Sequence, residues 1–83
     1  MLVNIFSLDK IIFQGEAYSL TAPGAKGTLT ILPHHAPLIT SLKKGKLKLK
    51  KSEKGGEELF FEIEKGFLEV NKKEVNVLVN LPK

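Results

Sequence analysis

The two histidines of the chain are adjacent, at positions 34 and 35, and they stand between two prolines in the segment ILPHHAPL. Imidazoles serve as metal ligands and as general bases, so this pair is the first place to look for chemistry. Adjacent side chains on an extended chain point to opposite sides, which disfavours one ion bound by both. The sequence has no cysteine and no HxH or HxxxH spacing. We therefore predict no metal site, and we interpret His34 and His35 as loop or interface residues.

Hydroxyls and carboxylates offer no better reaction centre. A hydrolytic nucleophile needs a base and a group that orients this base, yet the chain has one aspartate, Asp9, and no serine in a GxSxG elbow. The glutamates alternate with apolar residues or flank turns, which is typical of solvent-facing positions. Gly24 and Gly27 do not lie between a strand and a helix, so they do not form a phosphate-binding loop. We predict no catalytic residue and no cofactor.

The composition indicates one small domain, residues 1–83, that is not held by disulfides. All 13 basic residues are lysine, and the net charge is +4. Lysine lacks the bidentate fork of arginine, so such a surface attracts polyanions but reads them poorly. Asn4 and Ser7 interrupt the apolar N-terminal run, and we predict no signal peptide. No apolar run approaches the ~20 residues that cross a bilayer, so we expect any membrane association to occur through another subunit.

Alternation of apolar and polar residues predicts strands rather than helices. The clearest pair is KGKLKLKK and ELFFEIE, and the polar, glycine-rich SEKGGE between them predicts a hairpin. We predict the register that matches apolar faces and sets lysines against glutamates: Leu49–Phe61, Leu47–Ile63, Lys48–Glu62 and Lys46–Glu64. The lysine row would then be a solvated face neutralised by glutamates, each opposite-charge pair contributing about 0.2–1 kcal/mol.

Further strands and turns are predicted on both sides of this hairpin. The segments GFLEV and VNVLV flank NKKE, which predicts a second hairpin with Leu68 opposite Val77 and Val70 opposite Val75. Pro23-Gly24 is the pair expected at the centre of a type II turn. Near the start, LVNIFSL and IIFQGEAYSL are predicted strands separated by DK. Many short strands with frequent turn signals indicate an all-β sandwich or barrel.

A small basic barrel of the OB type, binding single-stranded nucleic acid, is the alternative to a protein-binding module. Such a barrel stacks bases on aromatic side chains exposed along one strand face. The aromatic residues here mostly occupy alternating apolar positions, so we expect them in the core, with Phe60 as the exception. The six are Phe6, Phe13, Tyr18, Phe60, Phe61 and Phe67.

Collinear blocks across the whole chain resemble one known family. They are FQGEA, the long block GTLTILPHHAPLITSLKKGKL, and KGFLEVNKKEVNVLV. In content, order and spacing they resemble the epsilon subunit of F-type ATP synthases, which is called delta in mitochondria. The family signature has a glycine, a short alternating strand, a proline, one variable residue, His-Ala-Pro-Leu, a threonine and a Lys-x-Gly. Here these are Gly27, Leu29, Ile31, Pro33, His35, Ala36, Pro37, Leu38, Thr40 and Lys43-Lys44-Gly45.

This resemblance implies a flattened, ten-stranded β-sandwich of two antiparallel sheets. It also implies a non-catalytic subunit at the foot of the rotating central stalk, in contact with the gamma subunit and the membrane-embedded c-ring. Such a subunit would be a peripheral membrane protein on the cytoplasmic face of the bacterial inner membrane. It would couple proton transport to ATP synthesis without inserting into the bilayer and without binding nucleic acid. The proline-bracketed corner is then expected to be a rigid ledge, since proline fixes φ.

The resemblance also implies two sets of interface residues. The gamma-facing positions correspond to Ser7, His35 and Thr40, and the c-ring contact corresponds to the loop Ala25, Lys26, Gly27 and Thr28. Family members often have an acidic residue where this chain has Thr28, which changes the expected electrostatics of the ring contact. Family members also usually continue into a C-terminal pair of helices, whereas this chain stops at VNLPK. We therefore expect the inhibitory and nucleotide-sensing roles of those helices to be absent.

Overall fold

The computed structural model describes residues 1–82, and all of their regular structure is β. Within this range no helix is long and apolar enough to cross a bilayer. The all-β prediction is confirmed, and residues 1–82 form nine strands, whereas the resemblance implied ten. The strands are β1 (Leu2–Phe6), β2 (Ile11–Glu16), β3 (Ser19–Gly24), β4 (Gly27–Ile31), β5 (Leu38–Leu42), β6 (Gly45–Ser52), β7 (Gly55–Ile63), β8 (Lys65–Val70) and β9 (Glu74–Asn80).

Two layers make up the fold. The five-stranded layer has the order β2-β1-β9-β8-β5, and the four-stranded layer has the order β4-β3-β6-β7. A single pair, Gly24 with Leu42, joins the layers into one hydrogen-bonded sheet that folds over on itself. The pair β1–β9 is parallel. The prediction that both layers are purely antiparallel is therefore wrong for the five-stranded layer. Nearly the whole chain separates these two strands, which leaves ample length for the crossover that parallel pairing requires.

The predicted β8–β9 register is confirmed, because Leu68 lies opposite Val77 and Val70 opposite Val75. The predicted β6–β7 register is wrong by two residues. Its observed pairs are Lys46–Glu62, Leu47–Phe61, Lys48–Phe60, Leu49–Leu59 and Lys50–Glu58.

The turn of the β6–β7 hairpin explains this shift. Gly55 and Gly56 have φ of 87° and 86°, a conformation that glycine adopts readily. The loop therefore closes at once, with Glu53 and Lys54 between the paired residues Ser52 and Gly55, and an irregularity in the ladder separates this pair from the next one, Lys50–Glu58. A shift by two residues preserves which side chains point inward, so the predicted faces hold while the predicted charge partners change.

We predicted Pro23 and Gly24 at the centre of a turn, and this is wrong, because both residues lie at the end of β3. The turn lies two residues later, at Ala25 and Lys26, and Gly24 pairs with Gly27. A Cβ atom on Gly24 would come within 2.6 Å of the Gly27 carbonyl oxygen. The close approach of the two backbones, rather than turn geometry, therefore accounts for glycine at position 24.

One aliphatic core lies between the two layers. Phe13 of β2 and Phe61 of β7 close one side of it, with ring centroids 6.3 Å apart. Both layers contribute to the core through their alternate, inward-facing positions. Its buried residues are Val3, Ile5, Ala17, Leu20, Ala22, Ile31, Leu42, Leu47, Leu49, Ile63, Leu68, Val70, Val75, Val77 and Val79.

Candidate interaction surface

The outer face of the five-stranded layer carries a continuous row of apolar side chains. Inward positions such as Ile5, Leu68 and Val77 are fully buried, so the residues between them in sequence point outward. In register across four adjacent strands, the outward residues form a single line. We call this line the apolar row; it consists of Ile11, Phe6, Leu78 and Phe67.

The apolar row is open to solvent at both ends. Ile11 is 66% exposed and Phe67 is 61% exposed, whereas Phe6 and Leu78 between them are half-buried. Ile39, on the neighbouring edge strand β5, is 76% exposed. Scattered apolar residues on a surface are ordinary, but a contiguous set marks a site for another protein or ligand. This face is therefore the best candidate for a binding surface.

A polar row lies directly beside the apolar row, two residues away along β1, β9 and β8. Asn4 Nδ2 donates to Asn76 Oδ1 at 2.9 Å and to Glu74 Oε2 at 3.2 Å. Asn76 Nδ2 in turn donates long hydrogen bonds, both 3.4 Å, to Glu69 Oε1 and Glu74 Oε1. We call these four residues, Asn4, Asn76, Glu69 and Glu74, the acceptor cluster, because their oxygens outnumber the hydrogens they share.

The outer face of the four-stranded layer has a different chemistry. Lys46 and Lys50 lie opposite Glu62 and Glu58, so the outward charges of β6 and β7 alternate in sign. The Lys46 Nζ to Glu62 Oε1 distance is 4.0 Å, and both side chains are about two-thirds exposed. Phe60, opposite Lys48, is 57% exposed, as predicted. Two of the three outward lysines of β6 thus have a glutamate opposite them, and the third, Lys48, faces an isolated aromatic side chain.

The histidine corner is a turn between β4 and β5, and therefore between the two layers. His34 has φ of 68°, and the His35 amide donates to the Leu32 carbonyl at 3.1 Å. Proline at the second position and positive φ at the third are the pattern of a type II turn. The type II turn thus occurs at Pro33-His34 instead of Pro23-Gly24. Histidine is one of the few non-glycine residues that tolerate this conformation.

Both histidine side chains are exposed. His35 Nδ1 lies 2.7 Å from the Ala36 carbonyl oxygen, which braces the loop. A cleft of about 240 Å³ separates the corner from the β8–β9 turn and is lined by His34, His35, Lys72 and Lys73 among others. In residues 1–82, no group of three histidine, cysteine or acidic side chains is placed to hold a metal ion.

The structure does not gather the three predicted gamma-facing residues into one cluster. Ser7 follows β1, where its hydroxyl donates to Asp9 Oδ1 at 3.1 Å. His35 lies at the other end of the same layer. Thr40, between them on β5, is half-buried and lies opposite Leu68. All three border the five-stranded layer, but at its two ends and one edge.

The four predicted ring-contact residues do lie together. Ala25, Lys26, Gly27 and Thr28 form the exposed tip of the β3–β4 hairpin. Two backbone hydrogen bonds tie this hairpin to the end of β5 and the residue after it. Ala25 N donates to Ser41 O at 3.0 Å, and Lys43 N donates to Pro23 O at 2.9 Å. The strand register places the tip and Ser7 at the same end of the molecule.

The expectation that most aromatic residues lie in the core is wrong, because none of the fully buried side chains in residues 1–82 is aromatic. Phe13 and Phe61 pack at the margin of the core, whereas Phe67 is as exposed as Phe60. The signal for Phe67 was present in the sequence. If Leu68 and Val70 point inward, Phe67 and Glu69 must point outward.

Comparison with known proteins gives a consistent family. The sequence model of one protein family, the ATP synthase delta/epsilon chain beta-sandwich domain, matches residues 1–81. The ATP synthase epsilon chain of Xanthomonas euvesicatoria pv. vesicatoria is 47% identical over 77 residues, which are 93% of this chain and 54% of that one. The epsilon chain of Leptospira borgpetersenii serovar Hardjo-bovis is 40% identical over 78 residues, 94% of this chain and 59% of that one. The chain thus spans little more than half the length of these relatives.

Two solved assemblies contain chains of the same fold. One is the Euglena gracilis mitochondrial ATP synthase, OSCP/F1/c-ring, with a TM-score of 0.82 and 23% identity, covering 93% of this chain and 48% of that one. The other is the central stalk/c-ring of the Tetrahymena thermophila mitochondrial ATP synthase. Its TM-score is 0.80 at 19% identity, covering 95% of this chain and 62% of that one. At these identities the likeness concerns the fold alone.

Proposed function

Because the chain belongs to the family of ATP synthase delta/epsilon chains and matches its beta-sandwich domain over residues 1–81, we propose that it is a non-catalytic subunit of the central stalk. In this role it links the gamma subunit to the c-ring and couples proton transport to ATP synthesis. The observation that carries the proposal is the apolar row, because a subunit of a larger assembly needs a surface that only a partner covers.

We assign the gamma contact to the outer face of the five-stranded layer. The apolar row crosses four of its strands, and Ile39 extends the apolar surface to its edge. Ser7 and His35 border the two ends of this layer, so one partner that covers the face would reach both. Ser7, His35 and the apolar surface are then parts of one interface, whereas Thr40 is in register with the inward-facing Leu68 and does not lie on this outer face.

We assign the c-ring contact to the hairpin tip formed by Ala25, Lys26, Gly27 and Thr28. All four residues are exposed, and the tip is held at its base by backbone hydrogen bonds. Lys26 gives the tip a positive charge that suits carboxylates or carbonyl oxygens on the ring. In a bacterial cell, these contacts make the chain a peripheral protein on the cytoplasmic face of the inner membrane.

Titration with purified gamma subunit tests the proposal. We expect a saturable complex with Kd in the micromolar range or below, and a higher melting temperature when gamma is present. The absence of a complex at about 100 μM gamma would contradict the proposal.

Titration with a labelled single-stranded oligonucleotide distinguishes this proposal from the nucleic-acid alternative, because saturable binding with steep salt dependence would favour that alternative. Against that alternative, glutamates lie opposite two of the three outer lysines of β6, Lys46 and Lys50.

The c-ring contact needs its own measurement. Lys26→Glu reverses the charge at the hairpin tip without touching the core, and we expect it to weaken capture of the chain by detergent-solubilised c-ring several-fold. Lys54→Glu is a matched control, because Lys54 is an exposed lysine in the turn of another hairpin, β6–β7. If the c-ring captured the two variants equally well, the hairpin tip would not be part of the ring contact.

A further inference from the structure

A small cavity opens at the end of the apolar row that Phe67 forms. Its volume is about 240 Å³, and it lies where β9, β8 and β5 run side by side. Phe67 and Leu78, two members of the apolar row, line it together with Ser41, the cross-strand partner of Phe67 on β5. Its other lining residues are Leu42, Lys65, Gly66 and Asn80. The outer face of the five-stranded layer is therefore not flat at this end but has a recess beside a phenylalanine ring.

We attribute the recess to a step in side-chain size. The residue in register with the apolar row on the edge strand β5 is Ser41. A serine thus stands in line after an isoleucine, a phenylalanine, a leucine and a phenylalanine. Its side chain is too small to cover the ring beside it, so Phe67 remains 61% exposed. A side chain from another protein can enter the space that the serine leaves.

The rim of the cavity is polar. Leu42 and Val79 are buried, so Ser41 and Asn80 beside them point outward, and both are exposed. Lys65, two residues before Phe67 on β8, is exposed as well and takes part in neither of the two ion pairs within residues 1–82. A hydroxyl, an amide and an ammonium group therefore surround apolar walls. An apolar centre with a polar rim is the usual anatomy of a protein interface.

We propose that this cavity receives one aromatic side chain of the gamma subunit, a tyrosine or a tryptophan, as the anchor of the interface. This inference rests on the function proposed above and specifies the chemistry of the same interface. Tyrosine and tryptophan combine an apolar ring, which would pack against Phe67 and Leu78, with a polar atom that can meet the rim. Such residues, seated in pockets, carry much of the binding energy of protein interfaces.

The size of the cavity favours a side chain over a cofactor. Sites that hold small molecules usually measure about 300–1,000 Å³, whereas this cavity measures about 240 Å³. Its position gives a second argument, because it continues the apolar row that we assign to gamma. A partner that covers the row therefore also covers the cavity, and an unfilled recess would forfeit contacts within the interface.

An inserted anchor and a flat apolar contact predict opposite effects when the cavity is filled. A leucine at position 41 adds apolar surface next to Phe67, which would strengthen a flat contact. The same leucine occupies the space that an inserted ring needs, which would weaken an anchored one. Position 66 cannot serve for filling, because a Cβ atom on Gly66 would collide with the Leu78 carbonyl oxygen.

The test compares Ser41→Leu with Gln14→Leu in calorimetric titrations with purified gamma subunit. Gln14 is an exposed position on β2, opposite Asn4 in the same layer, and does not line the cavity. We expect Ser41→Leu to weaken gamma binding at least about tenfold, the size of effect expected when an anchor loses its pocket. Gln14→Leu should not weaken it more than about twofold, as is usual for a surface substitution. The melting temperature of each free variant checks its fold. Asn80→Leu, which fills the cavity from β9, serves if Ser41→Leu is unfolded.

The outcomes separate the two proposals. If the unmodified chain fails to bind gamma, the proposed function is overturned, and this inference with it. If the unmodified chain binds gamma but Ser41→Leu binds equally well or more tightly, only the anchor is overturned, and the contact is a flat one. Equal weakening by Ser41→Leu and Gln14→Leu would also overturn the anchor, because the loss would then not depend on the cavity.

Discussion

The two outer faces of this small sandwich arise from the same alternation of inward and outward residues, but their outward side chains differ in chemistry. On the four-stranded layer, two outward lysines of β6, Lys46 and Lys50, lie opposite outward glutamates of β7, so the surface balances part of its own charge. On the five-stranded layer, the outward positions carry the apolar row and an acceptor cluster whose two glutamates form no ion pair within residues 1–82. The alternation that buries one side of each strand is the same in both layers. The difference supports the proposal that a partner covers the second face.

The first way to sharpen this contrast is to show that the inner faces are equivalent. Leu68 and Leu49 are both fully buried, one under each outer face. We expect Leu68→Ala and Leu49→Ala each to lower the free energy of unfolding by about 2–5 kcal/mol, since each removes methyl groups and leaves a cavity. Urea denaturation measures this. A change below about 1 kcal/mol at either position would mean that its layer does not share the core.

The second prediction sets the two exposed phenylalanines against each other. Phe67 is 61% exposed on the five-stranded layer and Phe60 is 57% exposed on the four-stranded layer, so they form a matched pair. We expect Phe67→Ser to weaken gamma binding by about 2 kcal/mol, the size typical of an interface hot spot. Phe60→Ser should change it by less than about 0.5 kcal/mol, as is usual for a residue outside an interface. Calorimetric titration measures both, and equal losses would abolish the distinction between the faces.

The strands and their inward faces could be predicted from the sequence because alternation is a local signal. The β8–β9 register followed for the same reason, since matching Leu68 and Val70 to Val77 and Val75 leaves one solution. The β6–β7 register could not be obtained this way. Registers two residues apart bury the same side chains, and the conformations of Gly55 and Gly56 decide between them.

The candidate site was predicted less completely than the fold. The hairpin tip and the histidine corner stand in contiguous segments, so a family resemblance locates them. The apolar row is assembled from four strands distant in sequence, and it depends on the parallel pairing of β1 with β9. Nothing local in the sequence specifies this pairing. A row that requires the register of three strand pairs is visible only once those pairs are known.

The third prediction concerns the turn that carries the chain from one layer to the other. His34 holds a left-handed φ of 68°, which is unfavourable for any residue with a side chain. We expect His34→Gly to raise the free energy of unfolding by up to about 1 kcal/mol, with the entropy of the more flexible unfolded chain opposing part of the gain. His35→Gly is the control. Position 35 is not left-handed and its imidazole braces the loop, so this variant should be destabilised. Destabilisation of both variants would show that the His34 side chain makes contacts that outweigh its backbone strain.

The smallest effect is expected on the face that already balances its charge. Lys46 and Glu62 are cross-strand partners, but they are 4.0 Å apart and about two-thirds exposed, so solvent screens their attraction. A double-mutant cycle with Lys46→Gln and Glu62→Gln should give a coupling of about 0.2–0.5 kcal/mol that declines as sodium chloride is raised. The same variants should leave gamma binding unchanged, because their charges are satisfied within the chain. A coupling above about 1 kcal/mol would show that this face is held as specifically as the other. In that event, pairing of charges within the chain would no longer distinguish a face that only contacts solvent from a face that binds a partner.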